Sequence, residues 1–430
     1  MRFVLKNINK VQEADILLKG LTVIAGENDS GKSTVGKLLF STIKALADTD
    51  VRTDAKRDAL LQKHVHSLFS RLPWSLWNKG RSSNLFPLNP DDFVKGMQQA
   101  SSLKDFLQLR IEAIDADEKV TPRLRSLLLS DIENIRICME ESQNRSAALA
   151  TEIQYFIESE FMNKICSYHT EGSCVKFCMD EGEAELSYSI RDDQVLKETV
   201  QVSDGEYLQD ATYVESPLYV HLLDTLLFAS TYREMEQGKF FRSMVPIHIK
   251  DLASKLDMMK FTLSGQKRLP IAEEVQDVVG GHFSYDAQSR SLCFSKDGLS
   301  FSPINIASGI KSFGVIQMLL DTNAINGNKI LIWDEPENHL HPRWQIEFAK
   351  VLVQLAQSGI PIVISSHSPY FIQGVRYFSV KYRMEKFVNY YLANPSGGLV
   401  SMENVSSDLN RIFVKLAEPL NEIMNVDELR

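Results

Sequence analysis

LTVIAGENDSGKST, residues 21–34, is the stretch that decides the fold of this chain. Its apolar, β-branched start at residues 21–25 predicts a buried strand. Residues 26–33 fit the pattern G-x-x-x-x-G-K-S, and residues 34–40 predict the opening of a helix. A strand, a glycine-rich loop and a helix in this order are typical of a loop that binds phosphate groups, which a chance glycine turn does not explain.

The loop carries groups suited to a polyphosphate. Gly26 and Gly31 allow the backbone to curl so that successive N–H groups face an anion, and the helix N-terminus adds partial positive charge. Lys32 is predicted to reach the β- and γ-phosphates of ATP, and the hydroxyl of Ser33 to hold Mg²⁺. The predicted nucleotide-binding residues of the loop are Gly26, Glu27, Asn28, Asp29, Ser30, Gly31, Lys32, Ser33 and Thr34.

The composition is that of an ordinary globular protein. Of 430 residues, 44% are apolar and 24% are charged. No apolar run approaches the ~18 residues of a membrane span, and the N-terminus MRFVLKNINK lacks the apolar core of a signal peptide. We therefore expect a cytoplasmic protein with no membrane partner. The net charge of −9 argues against an extensive nucleic-acid-binding surface but leaves a local basic face open.

The five cysteines are an odd number in a chain without a secretory signal, so disulfide bonds are not expected. Cys166, His169, Cys174 and Cys178 lie close together in the sequence. Their spacing is irregular for zinc, and the last two fall in an alternating, strand-like run. Reduced thiols are the favoured interpretation, and a metal site is the alternative.

A predicted helical insertion follows the first helix. That helix is expected to end near Ala47, because Asp48-Thr49-Asp50 interrupts its apolar pattern. Residues 51–165 carry leucine, alanine and charges at helical spacing without a sustained heptad, which favours a compact insertion over a coiled-coil arm. Trp74 and Trp77 are interpreted as core residues, with a partner-binding face as the alternative. The prolines that divide this segment are Pro73, Pro87, Pro90 and Pro122.

The next part of the chain alternates between strand and helix patterns. Residues 172–215 predict antiparallel strands that end at 211–214. Residues 218–263 predict helices, and residues 291–294 predict the centre of a hairpin. Scattered positive charges on these helices are interpreted as a solvated face, with a nucleic-acid contact as the alternative; they are Lys239, Arg242, Lys250, Lys255 and Lys260.

The C-terminal third supplies acids and a histidine at strand ends. The apolar run 329–333 leads into Asp334 and Glu335, and a second buried run ends near His367. In parallel α/β sheets such ends meet at one edge, where ligands bind. Asp334 is predicted to bind Mg²⁺ through its water shell, Glu335 to orient or deprotonate the attacking water, and His367 to donate a hydrogen bond to the γ-phosphate.

These motifs resemble those of ABC-type ATPases, in the branch that includes SMC, RecF-like and OLD-like proteins. GENDSGKST resembles their Walker A motif, LIWDEPENHLHP their Walker B motif with catalytic glutamate and D-loop, and SSHSP their histidine switch. The resemblance implies an α/β fold with a mixed central sheet flanked by helices and a mainly helical insertion. The implied boundaries are an N-terminal ATPase part at 1–50, an insertion at 51–210 and a C-terminal ATPase part at 211–430.

The same resemblance implies a signature motif that contacts the nucleotide of a second subunit. Ser308, Gly309 and Lys311 match the S-G-x-K form of the RecF and OLD branch, not the LSGGQ of transporters. A helix N-cap without a nucleotide role is the alternative. The family's Q-loop is expected near residues 213–217, where no glutamine stands, and Glu215 is the candidate replacement.

The resemblance implies an ATPase that works as a head-to-tail homodimer with ATP and Mg²⁺ at its interface. Residues 368–430 contain no D-x-D nuclease pattern, so we expect a separately encoded nuclease or toxin as effector, as in stand-alone ATPases that resemble the Septu and PARIS anti-phage systems. One alternative is a DNA-repair or chromosome-maintenance clamp that binds DNA. Another is a nucleotide-dependent interaction module that does not hydrolyse ATP, against which the acid at Glu335 argues.

Overall fold

The computed structural model describes residues 1–73, 76, 85–87, 89–141, 145–162, 164–166, 172–228, 245–262 and 270–424. These divide into two compact units, the core unit (residues 1–47 and 150–430) and the helical unit (residues 48–149). The predictions for five residues lie outside the described residues: Trp74, Trp77, His169, Lys239 and Arg242.

The strands all belong to the core unit. They are β1 (Arg2–Ile8), β2 (Val11–Leu17), β3 (Leu21–Ala25), β4 (Ser173–Cys178), β5 (Glu185–Arg191), β6 (Gln194–Val195), β7 (Gln201–Val202), β8 (Asp210–Val214), β9 (His282–Asp286), β10 (Ser291–Lys296), β11 (Leu299–Phe301), β12 (Lys329–Asp334), β13 (Ile362–Ser366), β14 (Val388–Ser396) and β15 (Leu399–Asn404).

The helices with described bounds begin with the one that leaves the glycine-rich loop. They are α1 (Lys32–Arg71), α2 (Pro90–Gln98), α3 (Leu103–Asp115), α4 (Pro122–Glu141), α5 (Arg145–Phe161), α6 (Ile247–Asp257), α7 (Pro270–Val279), α8 (Ser308–Asp321), α9 (Pro342–Gln357), α10 (Pro369–Lys381) and α11 (Asn410–Met424). None of the helices that the structure describes has the length and hydropathy needed to cross a bilayer.

A mixed sheet of twelve strands forms the centre of the core unit. Its order is β6-β5-β4-β1-β2-β15-β14-β3-β13-β12-β8, with β7 beside β5. Strands β3, β13, β12 and β8 are parallel neighbours, whereas β1, β2, β4 and β5 pair antiparallel. This arrangement confirms the predicted α/β class with a mixed central sheet.

The register of the parallel strands sets the position of the site. Ala25 pairs with Ser366, and Asp334 pairs with Ser365. The glycine-rich loop, the acids and the histidine therefore all leave the sheet at the carboxyl edge of three adjacent strands, where parallel sheets bind their ligands. All five residues of β3 and all five of β13 are buried, which fixes these strands against sliding.

Aromatic packing joins the sheet to the helices around it. Trp333 of β12 lies edge-on to Phe348 of α9, and Phe348 lies edge-on to Phe313 of α8. These three rings belong to one large buried cluster that includes residues of β3, β12 and β13. Burial of rings of this size supplies much of the hydrophobic stabilisation of the strands that end at the site.

Two sequence-based expectations were wrong. The first helix does not end near Ala47 but continues to Arg71. Asp and Thr cost less than about 0.7 kcal/mol each in a helix, and Asp48-Thr49-Asp50 contains neither glycine nor proline, so the interruption is too weak to end it. The segment 210–214 does not close an antiparallel set either, because β8 pairs in parallel with β12.

The boundary of the helical unit also differs from the predicted insertion at 51–210. Residues 150–210 lie in the core unit, because β4 extends the central sheet beside β1. Within the helical unit, α2 and α4 begin at Pro90 and Pro122, as proline at the first helical position favours. Its own apolar core includes Phe69, Phe93 and Leu107.

Candidate functional site

The glycine-rich loop connects β3 to α1 and is held in a tight curve. The N–H of Gly26 donates to the carbonyl of Ser366 over 3.2 Å, which ties the loop to β13. A Cβ on Gly26 would lie 2.7 Å from the Cβ of Ala393, and Gly31 has a φ of +75° with Val11 against it. Only glycine fits either position, so the backbone keeps the conformation that presents N–H groups at the start of α1.

Lys32 places a buried ammonium inside this loop. The residue is 5% exposed, and Nζ donates to the carbonyls of Gly26 (3.0 Å) and Glu27 (2.6 Å). It also lies 3.9 Å from Oε1 of Glu335. Burial lowers the pKa of Lys32, and the neighbouring carboxylates oppose that effect. A buried cation in a loop that leads into a helix N-terminus is an arrangement suited to a polyphosphate.

Asp334 ends β12 with both carboxylate oxygens engaged. Oδ2 accepts a hydrogen bond from the hydroxyl of Tyr213 (2.9 Å), and Oδ1 accepts one from the hydroxyl of Ser365. These partners come from the strands on either side, β8 and β13. In metal sites, hydrogen bonds of this kind hold the metal-binding carboxylate in one orientation. Asp334 is held in the same way, which suits it to bind a hydrated cation.

Glu335 follows in a strained backbone conformation. Its φ of 48° lies in the left-handed region, which costs a non-glycine residue about 1–3 kcal/mol and clusters at functional sites. Its N–H donates to the carbonyl of Ser365 (3.1 Å), and Oε2 accepts from Nδ2 of Asn338 (3.0 Å). The turned backbone directs the side chain toward Lys32 and His367.

His367 pairs with Glu335. Nδ1 of the imidazole lies 3.0 Å from Oε1 of the carboxylate. The pair lowers the pKa of Glu335 to about 2 and raises the pKa of His367. The carboxylate is therefore held in its charged form beside the imidazole, in place to orient a water molecule or to accept its proton.

Glu337 is a residue of the site that the sequence analysis did not single out. Its side chain is 3% exposed. Oε1 accepts from the hydroxyl of Ser366 (2.7 Å) and from the N–H groups of His367 (2.9 Å) and Ser368 (3.2 Å). Burial raises the pKa of Glu337. This acid therefore holds the backbone that carries His367. In the sequence, the only sign of it was a third acid in the motif DEPE at residues 334–337.

Removing these bonds has a predictable effect. Because each hydrogen bond to a charged group contributes about 1.5–3 kcal/mol, Glu337→Ala is expected to lower the melting temperature and to reduce kcat for ATP about tenfold, with KM little changed. Glu337→Gln keeps the Oε1 acceptor. It replaces Oε2, which has no hydrogen-bond partner within the described residues, with an NH₂ group. The matched glutamine variant should therefore stay near the parent in both assays; equal losses in both variants would contradict this role.

A cleft of about 510 Å³ opens above these groups, a volume suited to a nucleotide. The predicted site residues that line it are Asn28, Asp29, Ser30, Gly31, Lys32, Ser33, Thr34, Asp334 and Glu335. Gly26 and Glu27 face it indirectly, through their carbonyls on Lys32. Four further lining residues are Asn9, Lys10, Glu215 and Asn338. Of these four, the sequence analysis had proposed a role only for Glu215, which directly follows β8.

A magnesium nucleotide fits these residues. Mg²⁺ is usually bound by one or two carboxylates together with phosphate oxygens and water, and the cleft is lined by the carboxylate of Asp334 and the hydroxyl of Ser33. Among the described residues, no group of three or more His, Cys, Asp or Glu side chains is placed to hold a metal ion. Cys166, Cys174 and Cys178 are free thiols.

The signature candidate lies at the start of α8, outside this cleft. Ala307, not Ser308, occupies the N-cap position and makes no side-chain cap. A Cβ on Gly309 would lie 3.1 Å from Leu340 and 3.2 Å from Trp344, so glycine lets α8 approach the segment after Glu335. Lys311 is 4% exposed, with Nζ 3.2 Å from Nδ1 of His221.

Two sequence comparisons find proteins that are similar to this chain. Residues 221–373, which include Ser308, Asp334 and His367, match the family model described as "AAA domain, putative AbiEii toxin, Type IV TA system". The chain is 21% identical over 402 residues to the retron Vc95 probable ATPase of Vibrio cholerae, covering 88% of this chain and 71% of that protein.

Solved SMC head domains are also similar to the chain. The head domain from Thermotoga maritima has a TM-score of 0.39 and 10% identity, covering 94% of this chain and 98% of that one. An SMC head bound to the C-terminal winged-helix domain of ScpA has a TM-score of 0.40 and 10% identity, covering 95% and 98%. In its motif residues and its mixed sheet the chain is similar to the ABC-type ATPases of the branch that includes SMC, RecF-like and OLD-like proteins, and its sequence relatives carry the names of an AAA domain and a probable ATPase.

Proposed function

We propose that this protein binds and hydrolyses ATP and uses the nucleotide to control a dimeric sensor or scaffold, which regulates a separately encoded nuclease or toxin in bacterial anti-phage defence. The observation that carries the proposal is the meeting of Lys32, Glu335 and His367. Oε1 of Glu335 lies 3.9 Å from the lysine ammonium and 3.0 Å from the imidazole, although the three residues are far apart in the sequence.

Each residue has a distinct part in this proposal. The loop N–H groups and Lys32 bind the β- and γ-phosphates, and Ser33 and Asp334 hold Mg²⁺, which when bound neutralises phosphate charge. Glu335 orients the attacking water. His367, whose imidazole lies beside Glu335, donates a hydrogen bond to the γ-phosphate.

A second subunit would complete the site. Ser308 and Gly309 are half-buried and lie outside the cleft of their own chain, so their proposed contact is with the nucleotide of a partner copy. Lys311 would have to release His221 before its ammonium could reach that nucleotide. The closed dimer is then favoured by the extra contacts that ATP makes in it, and hydrolysis removes them.

The regulatory role rests on two kinds of support. The curated relative is by name the probable ATPase of a retron. By analogy, this chain is the ATPase component of a system that has further components. The motifs also resemble those of stand-alone defence ATPases. A DNA-repair clamp is the other candidate from the sequence, but the net charge of −9 favours the defence role.

Metal removal and DNA addition test this choice. ATP turnover is expected to fall at least about a hundredfold in EDTA and to return with Mg²⁺, because the metal stabilises charge in phosphoryl transfer. Double-stranded DNA should leave the rate unchanged within about twofold, and purification with ATP should retain a nuclease or toxin encoded beside this gene. Turnover in EDTA would contradict the metal role, and strong stimulation by DNA would favour the clamp.

A further inference from the structure

A buried chain of three ionisable side chains runs from α5 to the nucleotide cleft. Nδ1 of His248 lies 2.5 Å from Oε2 of Glu160, and Nε2 lies 2.9 Å from Oε2 of Glu215. The side chains of His248 and Glu160 have no solvent exposure, whereas Glu215 is 38% exposed and lines the cleft. Neither His248 nor Glu160 touches the residues already assigned to the nucleotide.

The geometry sets the hydrogen-bond directions. A neutral imidazole has one N–H, but both ring nitrogens of His248 face carboxylate oxygens, so the doubly protonated ring satisfies both. Burial lowers the pKa of His248, but the bonds to Glu160 and Glu215 outweigh burial and raise it. Oε1 of Glu160 also accepts the backbone N–H of His248 (3.0 Å), so Glu160 holds both the ring and the main chain of this residue.

The packing around the ring leaves it one orientation. Phe40 of α1 and Tyr213 of β8 lie edge-on to the imidazole, with centroids 6.3 Å and 4.9 Å away. Tyr213 also donates to Asp334, so this side chain contacts both the imidazole and the acid at the end of β12. On the cleft side, the hydroxyl of Tyr219 donates to Oε2 of Glu215 (3.2 Å), and Nζ of Lys37 lies 3.8 Å from Oε1. Oε2 is therefore committed to the protein interior, and Oε1 faces Lys37.

We propose that His248 and Glu160 are positioning residues that clamp Glu215, so that Glu215 presents a fixed, charged oxygen to the hydrated magnesium ion of the bound nucleotide. The inference rests on the proposed function and deepens it. Where the family places a glutamine on this side of the site, this chain has a carboxylate, and the buried histidine holds that carboxylate in place through its Nε2 donor.

A pair of isosteric variants tests the clamp. The terminal amide of His248→Gln matches Nε2 and keeps a donor for Glu215, whereas that of His248→Asn matches Nδ1 and keeps a donor for Glu160 only. The measurement is the Kd of AMP-PNP, a non-hydrolysable ATP analogue, by calorimetry with Mg²⁺ and with EDTA. Thermal unfolding of each variant reports its fold.

Loss of an outer-shell partner typically costs 10–100-fold in metal affinity, so Glu215→Gln and His248→Asn should each reduce the magnesium-dependent gain in affinity about tenfold. His248→Gln should reduce it less than about threefold, and binding in EDTA should be unchanged in all three. Equal effects of the two histidine variants would overturn the clamp while leaving ATP binding intact. Failure of the parent protein to bind the analogue would overturn the proposed function as well.

Discussion

Replacing Lys32 with alanine is expected to weaken ATP binding by about a hundredfold or more. The ammonium is buried beside the loop that faces the cleft, and it lies 3.9 Å from Oε1 of Glu335. A charge-assisted hydrogen bond contributes about 1.5–3 kcal/mol, and loss of about 2.7 kcal/mol corresponds to a hundredfold change in Kd. Calorimetry with ATP measures the change directly.

The control for this variant is Lys63→Ala, which removes an exposed lysine from the helical-unit part of the same helix. It should bind ATP like the parent. Lys32→Ala removes a buried charge whose desolvation opposes folding, but it also removes the hydrogen bonds to the carbonyls of Gly26 and Glu27, so thermal unfolding is measured beside binding to establish that the variant is folded. Parental ATP affinity in a folded Lys32→Ala protein would refute the assignment of this loop.

Replacing Glu335 with glutamine is expected to lower kcat by about 10²–10⁴-fold, the usual range for a lost acid–base group. The substitution removes the charge that orients water but keeps the size of the side chain and its oxygen acceptor for Asn338. ATP should therefore still bind. Because hydrolysis is the step that loosens the proposed dimer, the variant should accumulate as an ATP-bound dimer, measurable by sedimentation velocity with and without ATP.

Glu13→Gln, at an exposed position of β2, is the matched control and should hydrolyse ATP at the parental rate. The two readouts of the Glu335 variant separate the hypotheses. Unchanged turnover would remove Glu335 from the mechanism and favour an interaction module that does not hydrolyse ATP. Slow turnover without a dimer would keep the ATPase and argue against the proposed assembly.

Local motifs made much of the site predictable. The two glycines of the loop at 26–33 restrict its conformation. Its sequence pattern alone identifies Lys32 and Ser33 as candidate phosphate- and metal-binding residues. Asp334, Glu335 and His367 could be placed because they follow short apolar runs, and the ends of parallel strands meet at one edge. The class of the fold was implied by the resemblance that these motifs carry.

Contacts between distant segments were not predictable. Tyr213 and Ser365 reach Asp334 only because β8 and β13 flank β12. No single segment of the sequence reveals this strand order. His248 lies on a helix whose apolar pattern gives no sign of the carboxylates at its ring nitrogens. The length of α1 was missed because polar residues alone are weak signals for a helix end.

The most direct test is a crystal structure of Glu335→Gln with ATP and Mg²⁺. The account predicts one nucleotide in the cleft, its phosphates against the loop and Lys32, the ion between Ser33 and Asp334, and His367 beside the γ-phosphate. A nucleotide bound elsewhere, or an ion that contacts neither Ser33 nor Asp334, would contradict it.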